Sequence, residues 1–342
     1  MRRFKFLAAA ITAVLLLGPA LPAATVRAQD ATPAACAAGS VEANKQTALD
    51  WLQAITDRDL TRFDTLMTAD SRYDSATLSD AIGPKAAADI YQSVLDGFTN
   101  LVYTADQVIG QDDYVAVRYH VAGDNTGAFR TTPPTGKHIT WDGIGIMRFC
   151  GGQIAETWME IDQLARMTQL GTAADVPVVQ ALAGSAGQNP SAGATPIADL
   201  DCPVTSPREA ERVFFTWDEA WTTGDTALLD GLLADPFGEV DNDGNGLTLR
   251  EELAGAIDAY RAAMPDLHDN VTVVFAEGDF VAARWNTTGS MTGDFYGVPA
   301  TNGPVAYSGN TVLRLQCGRI ADVWTEFDEA SMLDQMNADW RP

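Results

Sequence analysis

Residues 143–162 read GIGIMRFCGGQIAETWMEID. Two short strand-like runs, 144–149 and 153–161, flank Gly151 and Gly152. Glycine accepts the positive φ that a tight hairpin turn requires, so the stretch reads as a β-hairpin. Residues 310–328, NTVLRLQCGRIADVWTEFD, repeat it, with a Cys at the turn and then Trp, Glu and Asp two apart. Trp158 and Trp324 lie 166 positions apart, as do Asp162 and Asp328, Trp51 and Trp217, Asp59 and Asp225, and Val115 and Val281. One offset held along the chain means a tandem duplication, with one core to be found in each copy.

The 342 residues suffice for two ordinary domains and a linker, and an apolar content of 46% supplies both with cores. Lys and Arg number 22 against 46 Asp and Glu, a formal charge of −24. Such a chain repels phosphate backbones and anionic lipid heads, which argues against nucleic acid and membrane surfaces as partners. Residues 1–28 read as a signal peptide: Arg2, Arg3 and Lys5 precede an apolar run at 7–21, with Val26-Arg27-Ala28 as a small-residue cleavage site. No later stretch is long and apolar enough to insert in a bilayer. The expectation is an exported, extracytoplasmic protein in which disulfides are permitted.

In order, the first copy predicts a helix near 41–56 and a second after Asp59 carrying Leu60, Phe63, Leu66 and Met67. A third has Pro84 at its first position. Strands follow at 101–109, 114–122, 137–149 and 153–161, then a short helix opening at Asp162 and closing near Gly171. Residues 172–205, rich in Ala, Gly, Pro and Ser, read as a linker. The second copy begins with a capping box, Ser206-Pro207-Arg208-Glu209. It continues with a helix after Asp225 carrying Leu228, Leu229, Leu232 and Leu233, a helix through Leu253 and Ile257, and strands at 271–276, 280–287, 305–316 and 319–327. The domains are 40–171 and 206–342, each three helices on a curved, mostly antiparallel sheet, an α+β class.

Four cysteines allow three pairings. Because Cys36 and Cys202, and Cys150 and Cys317, follow the repeat, each domain should close its own bridge, Cys36–Cys150 and Cys202–Cys317. Each would staple the segment before the first helix to the hairpin turn, worth about 4–5 kcal/mol in the chain-entropy account of a loop this long.

Phe129, the run Pro133-Pro134-Thr135-Gly136-Lys137, Arg148-Phe149, Gly152-Gln153-Ile154, Trp158, Asp162 and Gln169-Leu170-Gly171 together resemble the SnoaL-like polyketide cyclase (ester cyclase) family of the NTF2-like superfamily. Pro265-Asp266-Leu267-His268, Phe295, Gly297-Val298-Pro299, Trp324 and Asp328 carry the same resemblance in the second copy. It implies a cone-shaped α+β barrel with a pocket between sheet and helices, in two tandem copies. It also implies a small apolar or carbonyl-containing ligand, no cofactor, and, in cyclase members, intramolecular aldol chemistry with an Asp as acid/base. That Asp falls at Asp162 and Asp328.

Strand alternation puts Trp158, Glu160 and Asp162 on one face, and Trp324, Glu326 and Asp328 likewise. If that face lines a pocket, Asp162 and Asp328 are the catalytic candidates, and Trp158, Glu160, Trp324 and Glu326 are ligand contacts. Arg118 and Arg284 would then clamp a carboxylate or enolate oxygen. Asp162 and Asp328 equally suit helix N-caps or hydrogen-bond acceptors for a ligand. The tryptophans equally suit a core. Asp241, Asp243, Asn245 and Glu252 fit the ligand positions of a calcium loop, so a structural calcium is an open reading beside that of a plain turn into a capped helix. Function therefore divides between an acid/base enzyme, a non-catalytic binding protein and an assembly module. The two copies would either pack on each other or support a homodimer.

Overall fold

Helix α1 (Val41–Thr56) starts where the Ser40 hydroxyl accepts the Ala43 N–H at 3.2 Å, and it buries Trp51, Leu52 and Ile55. The computed structural model describes residues 39–75, 78–182, 202–240, 246–247 and 250–341. The expected signal peptide, Cys36, and Asp241, Asp243 and Asn245 of the calcium reading lie outside these. No helix among the described residues is long and apolar enough to cross a membrane.

The chain after α1 departs from expectation. The predicted second helix shrinks to a 3-10 turn, Leu60–Arg62, and one α-turn, α2 (Phe63–Leu66). Met67 does not extend it but opens a strand, β1 (Met67–Ser75), that pairs with β2 (Leu78–Ile82). Helix α3 (Pro84–Gly97) has Pro84 in its first turn, after Gly83 at φ 84°, a left-handed conformation that glycine tolerates. Next come β3 (Phe98–Gln111), β4 (Tyr114–Asn125), β5 (His138–Cys150), β6 (Gln153–Ile161) and α4 (Gln163–Leu170). The sheet order is β2-β1-β6-β5-β4-β3, with β1 parallel to β6 and the other neighbours antiparallel. Partner strands, rather than local propensity, convert 67–75 from helix to strand.

Helix α5 (Pro177–Leu182) lies inside the segment read as linker, and its Val178 and Val179 bury against domain 2. Domain 2 repeats the first architecture: α6 (Pro207–Thr223), a 3-10 turn at Thr226–Leu229, β7 (Leu233–Val240), β8 (Gly246–Leu247), α7 (Arg250–Ala263), β9 (His268–Glu277), β10 (Phe280–Ser290), β11 (Pro304–Gln316), β12 (Arg319–Phe327) and α8 (Glu329–Gln335). The capping box at Ser206 and Glu209 is formed. The helix expected after Asp225 is again a short turn giving way to a strand, and β7 runs parallel to β12. Order β8-β7-β12-β11-β10-β9 matches the first sheet. Both domains are α+β units of one architecture, and neither six-stranded sheet closes on itself among the described residues.

The Cys202–Cys317 bridge is present, with Cα atoms 5.4 Å apart. Cys150 is disulfide-bonded, while its expected partner Cys36 lies outside the described residues.

Each sheet has two covered faces. Helices pack on one, around Trp51, Phe63, Tyr91 and Phe98 in domain 1 and around Phe214, Trp217 and Ile257 in domain 2. On the other face the two domains meet, where Ile109, Ile144, Ile146, Phe275, Val312 and Trp324 share one apolar cluster. At the sheet edges Glu277 pairs with Lys45 and accepts the Gly110 N–H at 2.8 Å, while the Gln111 amide oxygen accepts the Ala276 N–H at 2.9 Å.

Candidate functional site

The alternation of β6 has consequences for every residue singled out on it. Met159 and Ile161 point to the helical side, whereas Trp158 packs on the cluster between the domains. Glu160 is buried and bonded to domain 2: Arg284 donates Nη1–H to its Oε1 at 3.1 Å and the Ser308 hydroxyl to the same oxygen at 2.6 Å. Arg284 also reaches Asp74 at 3.3 Å, and its guanidinium lies 5.9 Å from the Trp158 ring. Asn310 donates from Nδ2 to the carbonyls of Ile144 at 2.8 Å and Trp158 at 3.1 Å. Arg118 pairs with Asp106 at 3.2 Å and lies 4.8 Å over the Trp324 ring. Glu326 is buried beside Asp162, Asp142, Glu329 and Arg118. The premise that this face lines a pocket is therefore corrected. Trp158, Glu160, Arg118, Trp324, Glu326 and Arg284 stand at the junction of the two sheets.

Burial pushes the Glu160 carboxyl up to about 8, against the opposing pull of Arg284 and Ser308. Burial likewise raises Asp142 to about 7 and lifts Glu326 well above the carboxylate range, helped by the neighbouring negative charges. Each of these carboxyls takes up a proton at a higher pH than a free carboxyl does.

Asp162 and Asp328 both cap helices. Asp162 accepts the Ala165 N–H at 2.7 Å to open α4, and Asp328 accepts the Ser331 N–H at 3.0 Å to open α8. Burial raises the Asp328 carboxyl to about 6. The capping reading is thus realised in both copies. Glu252 lies on α7. Among the described residues no cluster of three or more His, Cys, Asp or Glu side chains could hold a metal ion.

A cavity of about 220 Å³ opens on the helical side of domain 1. Its floor is Tyr119 on β4, Trp141 on β5, and Met159 and Ile161 on β6. Tyr73 from β1, Tyr103 from β3 and Tyr91 with Val94 from α3 wall it, and Phe129 with Arg130 forms the rim. Arg166 enters from α4. Gly143 makes room for the floor: a Cβ there would sit 2.4 Å from the Tyr119 ring. The Tyr73 and Tyr91 hydroxyls hydrogen-bond each other at 2.8 Å. Burial pushes both phenols up, so they remain neutral O–H groups at physiological pH. Among the described residues no carboxylate lines this cavity.

Arg166 is 4% exposed. Its guanidinium lies 5.0 Å from the Phe129 ring centroid and 5.4 Å from that of Trp141. Burial, then the neighbouring Arg130, lowers it to about 10. Sequence reasoning passed over Arg130, Arg166 and the four tyrosines because helical periodicity and strand alternation make such residues look like ordinary packing. The repeat held a usable signal: 166 positions after Arg166 stands Met332, and after Arg130 stands Tyr296.

The family model for SnoaL-like polyketide cyclase matches residues 46–170 and again 211–336, one match per domain. The chain belongs to the SnoaL-like polyketide cyclase family. Similar solved structures include IdmH from Streptomyces antibioticus, at 27% identity over 38% of this chain and 99% of that one, TM-score 0.35. TsrD from Streptomyces laurentii shows 21% identity over 39% and 98%, TM-score 0.37. A SnoaL-like polyketide cyclase from Agrobacterium tumefaciens shows 16% over 37% and 98%, TM-score 0.33. Among curated proteins none matches. A family match on each copy agrees with a duplicated SnoaL-like unit in which domain 1 presents the aromatic cavity.

Proposed function

We propose that this SnoaL-like chain is an exported small-molecule protein whose working site is the domain 1 cavity, and that it takes a planar, carbonyl-bearing compound. The observation that carries the reading is the cavity itself, walled by four tyrosines and a tryptophan. Its aromatic faces suit a flat ring system, and the hydrogen-bonded Tyr73–Tyr91 hydroxyl pair leaves one neutral O–H to donate to a carbonyl oxygen. At about 220 Å³ it lies below the usual range for drug-sized ligands, roughly 300–1,000 Å³, which points to one or two rings. With Asp162 committed to the α4 cap and no carboxylate on the lining, the geometry favours binding over Asp-centred aldol chemistry. The basic, then apolar, N-terminal sequence and the Cys202–Cys317 bridge support export.

Native mass spectrometry of the purified full chain tests it. Wild type should retain a small aromatic or carbonyl compound, or bind one from a panel of one- and two-ring ketones and acids. Val94→Trp, which plugs the cavity, should lose it with little change in melting temperature. A wild-type chain that neither retains nor binds any such compound would refute the reading.

A further inference from the structure

Arg166 is an unusual occupant of an apolar cavity. Burying a guanidinium is costly unless a counter-charge and hydrogen bonds compensate it. Arg166 makes no ion pair and no hydrogen bond with its guanidinium among the described residues, and its Nε is buried without an acceptor. The Phe129 and Trp141 faces offset only part of the penalty. Asp162, which caps the same helix, is the smallest of the charges that act on Arg166. Arg130 makes the arrangement less favourable still. Its guanidinium lies 5.6 Å from the Phe129 ring that Arg166 also faces, so two cations converge on one ring and repel each other. Arg130 moreover adopts φ 55°, a left-handed backbone uncommon for a side chain of this size. Two like charges brought together at the mouth of a cavity, with no carboxylate among the described residues that line it, form half of a binding site.

We propose that the cavity takes an organic anion, a one- or two-ring aromatic carboxylate, with its carboxylate held by Arg166 and Arg130 and its ring lying along Trp141 and Tyr119. This rests on the cavity reading above and narrows it to a ligand class. The carboxylate supplies the missing acceptors, and guanidinium groups match its two oxygens in geometry as well as charge. In a chain of charge −24 the preference must be local, since the overall field disfavours anions.

Isothermal titration of the full chain with 2-naphthoate and with its neutral isostere 2-naphthamide separates the two readings. Wild type should bind the carboxylate about ten- to a hundred-fold more tightly than the amide, the range expected for hydrogen bonds to a charged partner. Arg166→Met should erase that preference while leaving amide binding in place, and Arg130→Tyr should reduce it. Circular dichroism melts confirm that both variants fold. Equal affinity of wild type for the two probes, or a preference that survives both substitutions, overturns the anion assignment and leaves the cavity reading standing. If wild type binds neither probe, both fall.

Discussion

The two domains share one strand order, one cap at the end of the sheet and one glycine under an aromatic floor: Gly143 beneath Tyr119, Gly309 beneath Trp285. They differ in what stands above that floor. Domain 1 has Arg130, Arg166 and Tyr103. Domain 2 has Tyr296, Met332 and Asp269 at the same offsets. Met332 is fully buried, in a cluster with Phe295, Tyr307 and Leu333. Burial lifts both Asp269 and Asp218 there, the latter to about 7. A cationic aromatic chamber in one copy thus has an apolar and acidic interior as its counterpart in the other. Duplication preserved the surfaces by which the sheets meet and let the helical sides diverge.

The largest effect should come from forcing the two interiors to match. Met332→Arg places an uncompensated charge inside the domain 2 cluster and should cost about 3–5 kcal/mol, read from urea unfolding. The reciprocal Arg166→Met should leave stability nearly unchanged or raise it, since it removes a buried charge without a partner. If Met332→Arg were as stable as wild type, domain 2 would hold a chamber like that of domain 1 and the asymmetry would dissolve.

The next effect tests what the copies have in common. Glu160 of domain 1 and Glu326 of domain 2 occupy matching positions at the junction, and burial raises both. A carboxyl whose folded pKa exceeds its unfolded value binds a proton more tightly in the native state. Its contribution is therefore full below the unfolded pKa and is lost as pH rises through the folded one. For Glu160 that window runs from 4.5 to about 8, and for Asp142 from 3.8 to about 7. Unfolding free energy should fall between pH 5 and 8, by about 1 kcal/mol per pH unit for each group in its window. Glu160→Gln keeps the acceptor for Ser308 and should flatten the upper part of that slope. A profile that rises over this range would show the junction acids to be ionised and well paired.

The architecture was legible in the sequence because the repeat and the strand alternation are local signals. The 166-residue offset located both domains and both hairpins, and Ser206 and Glu209 announced their own capping box. Residues 67–75 and 233–240 were not legible. MTADSRYDS and LADPFGEV carry no clean alternation, and they become strands through parallel pairing with β6 and β12. Alternation correctly set Trp158 and Glu160 apart from Met159 and Ile161, but it is silent on which face meets the helices and which meets another sheet. The choice depends on the second domain, a partner 166 residues away. Arg166 escaped notice because LARM reads as one turn of an amphipathic helix; a single sequence does not reveal that the polar member of that turn points inward.

The smallest predicted effect concerns the aspartate that opens the last helix of each domain, Asp162 and Asp328. Asp162→Ala and Asp328→Ala each remove a side-chain acceptor from a helix start and should cost about 1 kcal/mol, checked by thermal melting. Asn caps as well as Asp, so Asp162→Asn should melt within a few tenths of a kcal/mol of wild type. The amide cannot exchange a proton as the carboxyl does, so the same variant separates capping from catalysis. On the capping account it binds cavity ligands as wild type does. Were Asp162→Asn to fold normally, bind normally and yet lose a turnover that wild type shows, Asp162 would be an acid/base as well as a cap. Comparison with Asp328→Asn would then show whether that role belongs to the copy with the chamber or to both.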